Sequence, residues 1–226
     1  MKCGTTTLNA WLRYHPQVAF SAVKEVHFFD NNYHRGMAWY RSYFPIMECL
    51  IGARCVIEAT PAYIHRASKV AERMHRHIPE ARLILMLRDP VKRAISHYGH
   101  RRRNGLEQRS IEEALLSSQG PNPGTSNFYK TRGLYADKLA SFLSYYDRTN
   151  ILVIKSEDFF SEPSVVYSRV QDFLGIDRVP LPAGMKVHNV GTQRDPVPEA
   201  VTAHLSEFYC QPNRSLKVML PDFNIW

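Results

Sequence analysis

Ala81-Arg82-Leu83-Ile84-Leu85-Met86-Leu87-Arg88-Asp89-Pro90 carries the unbroken apolar run Leu83–Leu87, which stops on two charges and a proline. A run of this length without polar alternation predicts a strand over Ala81–Leu87 buried on both faces, as in a parallel sheet. Pro90 is suited to the first position of the next helix, which the sequence carries to about Arg103. Ligands of open parallel sheets gather at the C-terminal ends of the strands, so the chain delivers Arg88 to that edge. Ser96 follows eight residues on, roughly two helical turns, which makes Arg88 and Ser96 a candidate pair for one phosphate.

Outward from this stretch, the pattern alternates helices with buried strands. An extended segment around Cys55–Glu58 runs into the turn Thr60-Pro61, and residues 67–78 read as a helix. Ser110 with Glu113 reads as a capping box, residues 120–128 as a loop and Leu134–Tyr146 as a helix. Ile151–Ile154 reads as a second buried strand and Pro163–Leu174 as a helix, followed by a loop near 184–197 and a helix near 199–209. The expected fold class is α/β, a three-layer P-loop-like fold with a central parallel sheet flanked by helices, in a single domain over 1–226.

The chain opens on Lys2-Cys3-Gly4-Thr5-Thr6-Thr7, then Leu8, Trp11 and Leu12 at helical spacing. Gly4 removes the side chain where backbone approaches a phosphate, the threonines supply hydroxyls, and the helix N-terminus supplies N–H donors and a positive dipole end. Lys2 adds a point charge. The Walker pattern G-x-x-x-x-G-K-[ST] is absent. Such a loop normally follows a strand, so a first N-terminal strand is expected to be missing from this sequence. Two anion sites at one sheet edge suit a nucleotide phosphorylated at its 5′ and 3′ positions. The rival reading is a kinase in which Asp89 holds magnesium.

The 226 residues carry a net charge of +8 with ten further histidines, which suits an anionic partner without saying which. No apolar run is long enough to span a bilayer, and no nucleic-acid motif is present. Cys3, Cys49, Cys55 and Cys210 form no metal-ligand spacing; free thiols are expected, with a Cys49–Cys55 bridge as the alternative. Arg101-Arg102-Arg103 with His97 and His100 reads as a solvated helix end or as an anionic groove. Trp39, Tyr40, Tyr43 and Phe44 read as core aromatics.

These stretches together resemble the sulfotransferase family, in particular its heparan-sulfate branch and bacterial relatives. Lys2–Leu8 resembles the family's 5′-phosphosulfate loop, and Leu87-Arg88-Asp89-Pro90 with Arg93, Ser96 and Tyr98 its 3′-phosphate motif. Lys24-Glu25-Val26-His27-Phe28-Phe29 is similar to the acceptor-side segment, and Tyr33–Gly36, Trp39-Tyr40 and Phe44-Pro45 continue the match. Glu58 with Thr60-Pro61-Ala62-Tyr63, Gly133-Leu134-Tyr135-Ala136 and Asn189-Val190-Gly191 extend it along nearly the whole chain.

The resemblance implies transfer of a sulfuryl group from PAPS (3′-phosphoadenosine 5′-phosphosulfate), leaving PAP, with no metal required. Glu25 matches the general base and Lys2 the cation that meets the leaving oxygen. His27 orients Glu25, contacts the acceptor or packs as a core histidine. Cys3, Gly4, Thr5, Thr6 and Thr7 hold the sulfate and 5′-phosphate. Gly191, Thr192, Gln193 and Arg194 match the loop that closes over the donor, with Arg194 as its phosphate contact. Relatives acting on heparan sulfate resemble E-K-[ST]-x-x-Y where this chain has Glu58-Ala59-Thr60, and its donor loop lacks their lysine-glycine-arginine pattern. Both departures point to a bacterial-type member acting on another glycan, a lipid or a small metabolite. A cytoplasmic location is expected for such a member, and the Golgi lumen for a eukaryotic fragment. The alternatives are a P-loop-type nucleotide kinase and a non-catalytic nucleotide-binding relative.

Overall fold

The structure, a computed structural model, describes residues 2–45, 52–119, 127–181, 184 and 196–226. The chain forms two compact units: Cys3–Met86 with Ser141–Asn189, and Leu87–Ala140 with Val190–Trp226 and Lys2.

Four short strands are described: β1 (Val18–Phe20), β2 (Cys55–Ile57), β3 (Leu83–Leu87) and β4 (Ile151–Lys155). β1 and β2 run parallel, in the register Val18↔Cys55, Ala19↔Val56 and Phe20↔Ile57. β3 and β4 form the second hydrogen-bonded pair. Ile151–Ile154 are all buried, as an uninterrupted apolar run predicts. In the first unit the helices Thr5–Leu12, Ser156–Ser161 and Pro163–Leu174 close over these strands. Trp11, Leu12, Met86, Leu152, Ile154, Phe159 and Tyr167 form the core, and Phe20, Ile57 and Ile84 pack against it. Trp11 and Phe159 rings lie 4.7 Å apart, within the range where aromatic pairs attract. This is the expected α/β class, with parallel strands flanked by helices.

A cavity of about 1380 Å³ also belongs to the first unit. Val56 and Ile57 of β2, Leu83 and Leu85 of β3, and Leu8 and Leu12 of the first helix all line it.

In the second unit the helix Pro90–Arg103 starts as expected, with Pro90 in its first turn and Asp89 as N-cap. Asp89 Oδ1 accepts from the N–H of Val91 at 2.8 Å and of Lys92 at 3.3 Å. The capping box is present: the Ser110 N–H donates to Glu113 Oε2 at 2.7 Å, and the Glu113 N–H donates to Ser110 Oγ at 3.1 Å. Ala94, Ile95, Leu115, Tyr129, Leu205 and Tyr209 form the core. Gly133 is required by close approach, since a Cβ there would stand 2.7 Å from the Tyr209 hydroxyl oxygen. That hydroxyl donates to the Lys130 carbonyl at 2.8 Å.

Most helices fall where the periodicity puts them: Ala67–His77, Tyr135–Leu143 and Pro163–Leu174. The last helix differs, running Glu199–Met219 rather than ending near 209, with Pro212 inside it. An interior proline costs about 3 kcal/mol. Buried Tyr209 and Leu216 anchor the helix on both sides of Pro212, so packing outweighs that cost. The helix Phe128–Thr131 begins at the end of the expected loop, whose residues 120–126 lie outside the described residues. Cys3, Cys55 and Cys210 are free thiols, and Cys49 lies outside the described residues.

Candidate active site

The first unit carries the opening loop and the acceptor-side segment. Gly4 is the N-cap of the helix Thr5–Leu12 and holds φ 93°, where a side chain is strained. A Cβ there would also meet Phe160 Cζ at 2.9 Å and Met86 Cε at 3.3 Å. No side chain caps this helix. Its first N–H groups have no intrahelical acceptor, and they combine with the positive dipole end to suit an anion. Cys3 and Thr7 are buried at 3% and 0% exposure. Their side chains therefore belong to the core, and they can serve a ligand only through backbone. Thr5 and Thr6 keep partial exposure.

From Thr6 a polar chain runs into the segment after β1. Lys24 Nζ donates to Thr6 Oγ1 at 3.1 Å and lies 3.9 Å from Glu25 Oε1. Glu25 Oε2 stands 3.3 Å from His27 Nε2, and His27 Nδ1 stands 3.0 Å from Asp30 Oδ2. Glu25 is about one-third exposed while the Asp30 side chain is almost fully buried, at 36% and 4%. His27 thus sits between two carboxylates, one open and one sequestered. The His27 side chain keeps 30% exposure between them.

His27 also holds φ 55°, a left-handed conformation for a residue that is not glycine. Phe28 and Phe29 follow it in a π-helical turn and are fully buried. Phe28 stacks on Tyr40 at 4.7 Å, so Tyr40 is core, as expected. Beneath the turn lies Glu58, just past β2. Tyr40 donates to Glu58 Oε2 at 2.9 Å, while Thr60 and Tyr63 donate to Oε1 at 2.5 and 2.8 Å. Burial pushes the Glu58 carboxyl above the ordinary range, against the pull of these three hydroxyls.

The second unit carries the cationic residues. Arg88 Nη1 donates to the Lys2 carbonyl at 3.2 Å, and the Tyr135 hydroxyl donates to the Arg88 carbonyl at 3.0 Å. Lys2 holds φ 66°. Burial, then Arg103 and Arg88, lower its ammonium pKa. The His100 pKa is lowered by burial first and then by Lys2, Arg103 and Arg101. Ser96, His100 and Arg103 are spaced i, i+4, i+7 on the helix Pro90–Arg103 and so share a face.

The basic run splits. Arg101 and Arg102 donate to the carbonyls of Leu106, Glu107 and Gln108 beyond the helix end, as residues of a helix end do, and His97 is buried. The charge of Arg103 is felt at Lys2, and that of Lys2 at His100. Asp89, the magnesium ligand of the kinase reading, uses Oδ1 as a helix cap and has Oδ2 3.9 Å from Lys92 Nζ. Gly191, Thr192, Gln193 and Arg194 lie outside the described residues. No group of three or more metal-ligating side chains occurs among the described residues.

Sequence reasoning named His100 and Arg103 only as members of a basic run and did not single out Asp30. The acid–histidine–acid spacing Glu25-x-His27-x-x-Asp30 was legible, but only a left-handed turn at His27 makes it converge.

Parallel strands, a glycine-threonine loop opening a helix, and a carboxylate linked to that loop define a group-transfer enzyme of P-loop-like fold. The chain belongs to the sulfotransferase family: a family model of the sulfotransferase domain matches residues 1–216. It is 33% identical to the mouse heparan sulfate glucosamine 3-O-sulfotransferase 6 over 96% of this chain and 69% of that protein. The human protein of the same name is 37% identical over 79% of this chain and 51% of its own length. Against the crystal structure of a sulfotransferase from Alicyclobacillus acidocaldarius the TM-score is 0.83 at 26% identity, covering 99% of this chain and 93% of that one. The chain spans from 51% to 69% of the length of these two curated relatives. No helix among the described residues is long and apolar enough to cross a membrane.

Proposed function

We propose that the chain transfers a sulfuryl group from PAPS to an acceptor hydroxyl or amine by in-line displacement, with Glu25 as general base. The observation that carries this reading is the polar chain Thr6–Lys24–Glu25–His27–Asp30, which ties a partly exposed carboxylate to the loop at a helix N-terminus. A phosphosulfate held on that loop presents its sulfur to an acceptor placed against Glu25.

In the reaction the acceptor oxygen attacks sulfur, and the bond from sulfur to the bridging oxygen of the 5′-phosphate breaks. The acceptor proton passes to Glu25, and PAP leaves with the bridging electrons. His27 faces Asp30 through Nδ1 and Glu25 through Nε2, so it fixes the direction of the Glu25 carboxylate. Backbone N–H groups of Thr5–Thr7 and the hydroxyls of Thr5 and Thr6 take the sulfate and 5′-phosphate. Lys2 offsets charge on the leaving oxygen, and Arg88 with Ser96 takes the 3′-phosphate. The names of the relatives favour a carbohydrate hydroxyl as acceptor, while Ala59 stands where heparan-type relatives carry lysine.

Calorimetry of PAP, AMP and ATP with magnesium tests the donor. Tight, metal-independent PAP binding with much weaker AMP binding is expected; binding of ATP with magnesium and not of PAP would replace this reading with the kinase one. Glu25→Gln tests the base. It is expected to abolish transfer with PAP affinity within about twofold of the native value, because it removes the proton acceptor and spares the donor contacts. A fully active variant removes Glu25 from the role.

A further inference from the structure

The hydrogen bonds described for Glu58 run to Tyr40, Thr60 and Tyr63, and through the latter two they end at the backbone beside the proposed base. An ionised carboxylate only accepts, so the hydroxyl protons of Thr60, Tyr63 and Tyr40 all point at it. That leaves the Thr60 and Tyr63 oxygens free to accept from elsewhere. Thr60 Oγ1 accepts from the His27 N–H at 3.3 Å, and the Tyr63 oxygen accepts from the N–H groups of Phe28 and Phe29 at 3.0 and 3.3 Å. Three consecutive amides of the turn are thus held by one carboxylate through two hydroxyls.

The turn needs holding. A left-handed conformation costs a non-glycine residue roughly 1–3 kcal/mol and persists only where its surroundings over-determine it. Here it sits at His27, and it brings the ring between Glu25 and Asp30.

The geometry points to Glu58 as the positioning residue of this site, acting through Thr60 and Tyr63 to lock the His27 turn and thereby the direction of Glu25. The inference rests on Glu25 being the base. A glutamine at 58 cannot replace the carboxylate, because its amide must donate where one hydroxyl now donates, which reverses part of the network. The role is also separable from donor binding, since none of these bonds involves the Cys3–Thr7 loop.

The test compares Glu58→Gln, Thr60→Val and Thr60→Ser in the full chain. PAP affinity is read by calorimetry, and PAPS turnover is measured with a heparan sulfate oligosaccharide and with water as acceptor. The ¹⁵N resonances of the His27 ring are read by NMR. Glu58→Gln and Thr60→Val are expected to lower kcat by about tenfold or more, the scale of a small misplacement of a reacting group. They also shift the His27 ring signals and leave PAP affinity within about twofold, whereas Thr60→Ser retains the native values. Unchanged kcat and unchanged His27 signals in both would overturn the inference, as would a loss that follows PAP affinity. Thr60→Val is close to isosteric and keeps the test valid if Glu58→Gln fails to fold. If Glu25→Gln proves fully active, the base assignment falls, and the His27 signals alone still decide whether Glu58 sets the turn.

Discussion

Lys2 and His27 are the non-glycine residues with positive φ, at 66° and 55°, among the described residues, and both belong to the proposed catalytic set. Strained backbone collects where a side chain must be aimed rather than merely packed. At Lys2 the aim is held in part by Arg88, whose guanidinium takes the Lys2 carbonyl. Arg88→Ala is expected to weaken PAP binding by about 1.5–3 kcal/mol, the range for a hydrogen bond to a charged group, and calorimetry checks it. Unchanged affinity would move the 3′-phosphate away from Arg88. Lys2, Arg88 and Glu25 were legible in the sequence because each stands inside a short motif. Arg103 and His100 were legible only as members of a basic run, which looks the same whether its members cap a helix or face an anion.

The helix Pro90–Arg103 shows what an element adds to its residues. Ser96, His100 and Arg103 share one face by spacing, with Arg103 felt at Lys2 and Lys2 at His100, while Arg93 and His97 are buried. Burial, then Arg93 and Arg132, push the His97 imidazole down to about 2. The folded chain therefore keeps His97 neutral while the unfolded chain binds its proton near pH 6.5. Stability is present in full above pH 6.5 and is lost as the pH falls from there toward 2, at about 1.4 kcal/mol per pH unit from this residue alone. Thermal unfolding between pH 6.5 and 4.5 is expected to show that slope, and His97→Phe to flatten it. An equal slope in the variant would place the titration elsewhere. Helix starts at Pro90 and Ser110 were legible because capping chemistry is local. The reach of the last helix past Pro212 was not, because only the buried Tyr209 and Leu216 decide it.

At the scale of the molecule, the apolar strands β2 and β3 both line one cavity under Leu8 and Leu12, of about 1380 Å³. A helix that packs on a sheet covers strands, and here it covers open space lined by strand residues. The sequence by itself determined the α/β class, the strands β3 and β4, the helix caps and the family, and it singled out the Lys2–Thr7, Glu25 and Arg88 motifs. Each of these depends on neighbours within a few positions. Tertiary structure alone decided the three-residue β1, the left-handed turn that brings Glu25, His27 and Asp30 together, the Glu58 network beneath it and the division of the basic run. These depend on contacts between residues far apart in sequence, such as Thr60 with His27 and Arg88 with Lys2, and no local pattern encodes which distant partner will satisfy a buried group.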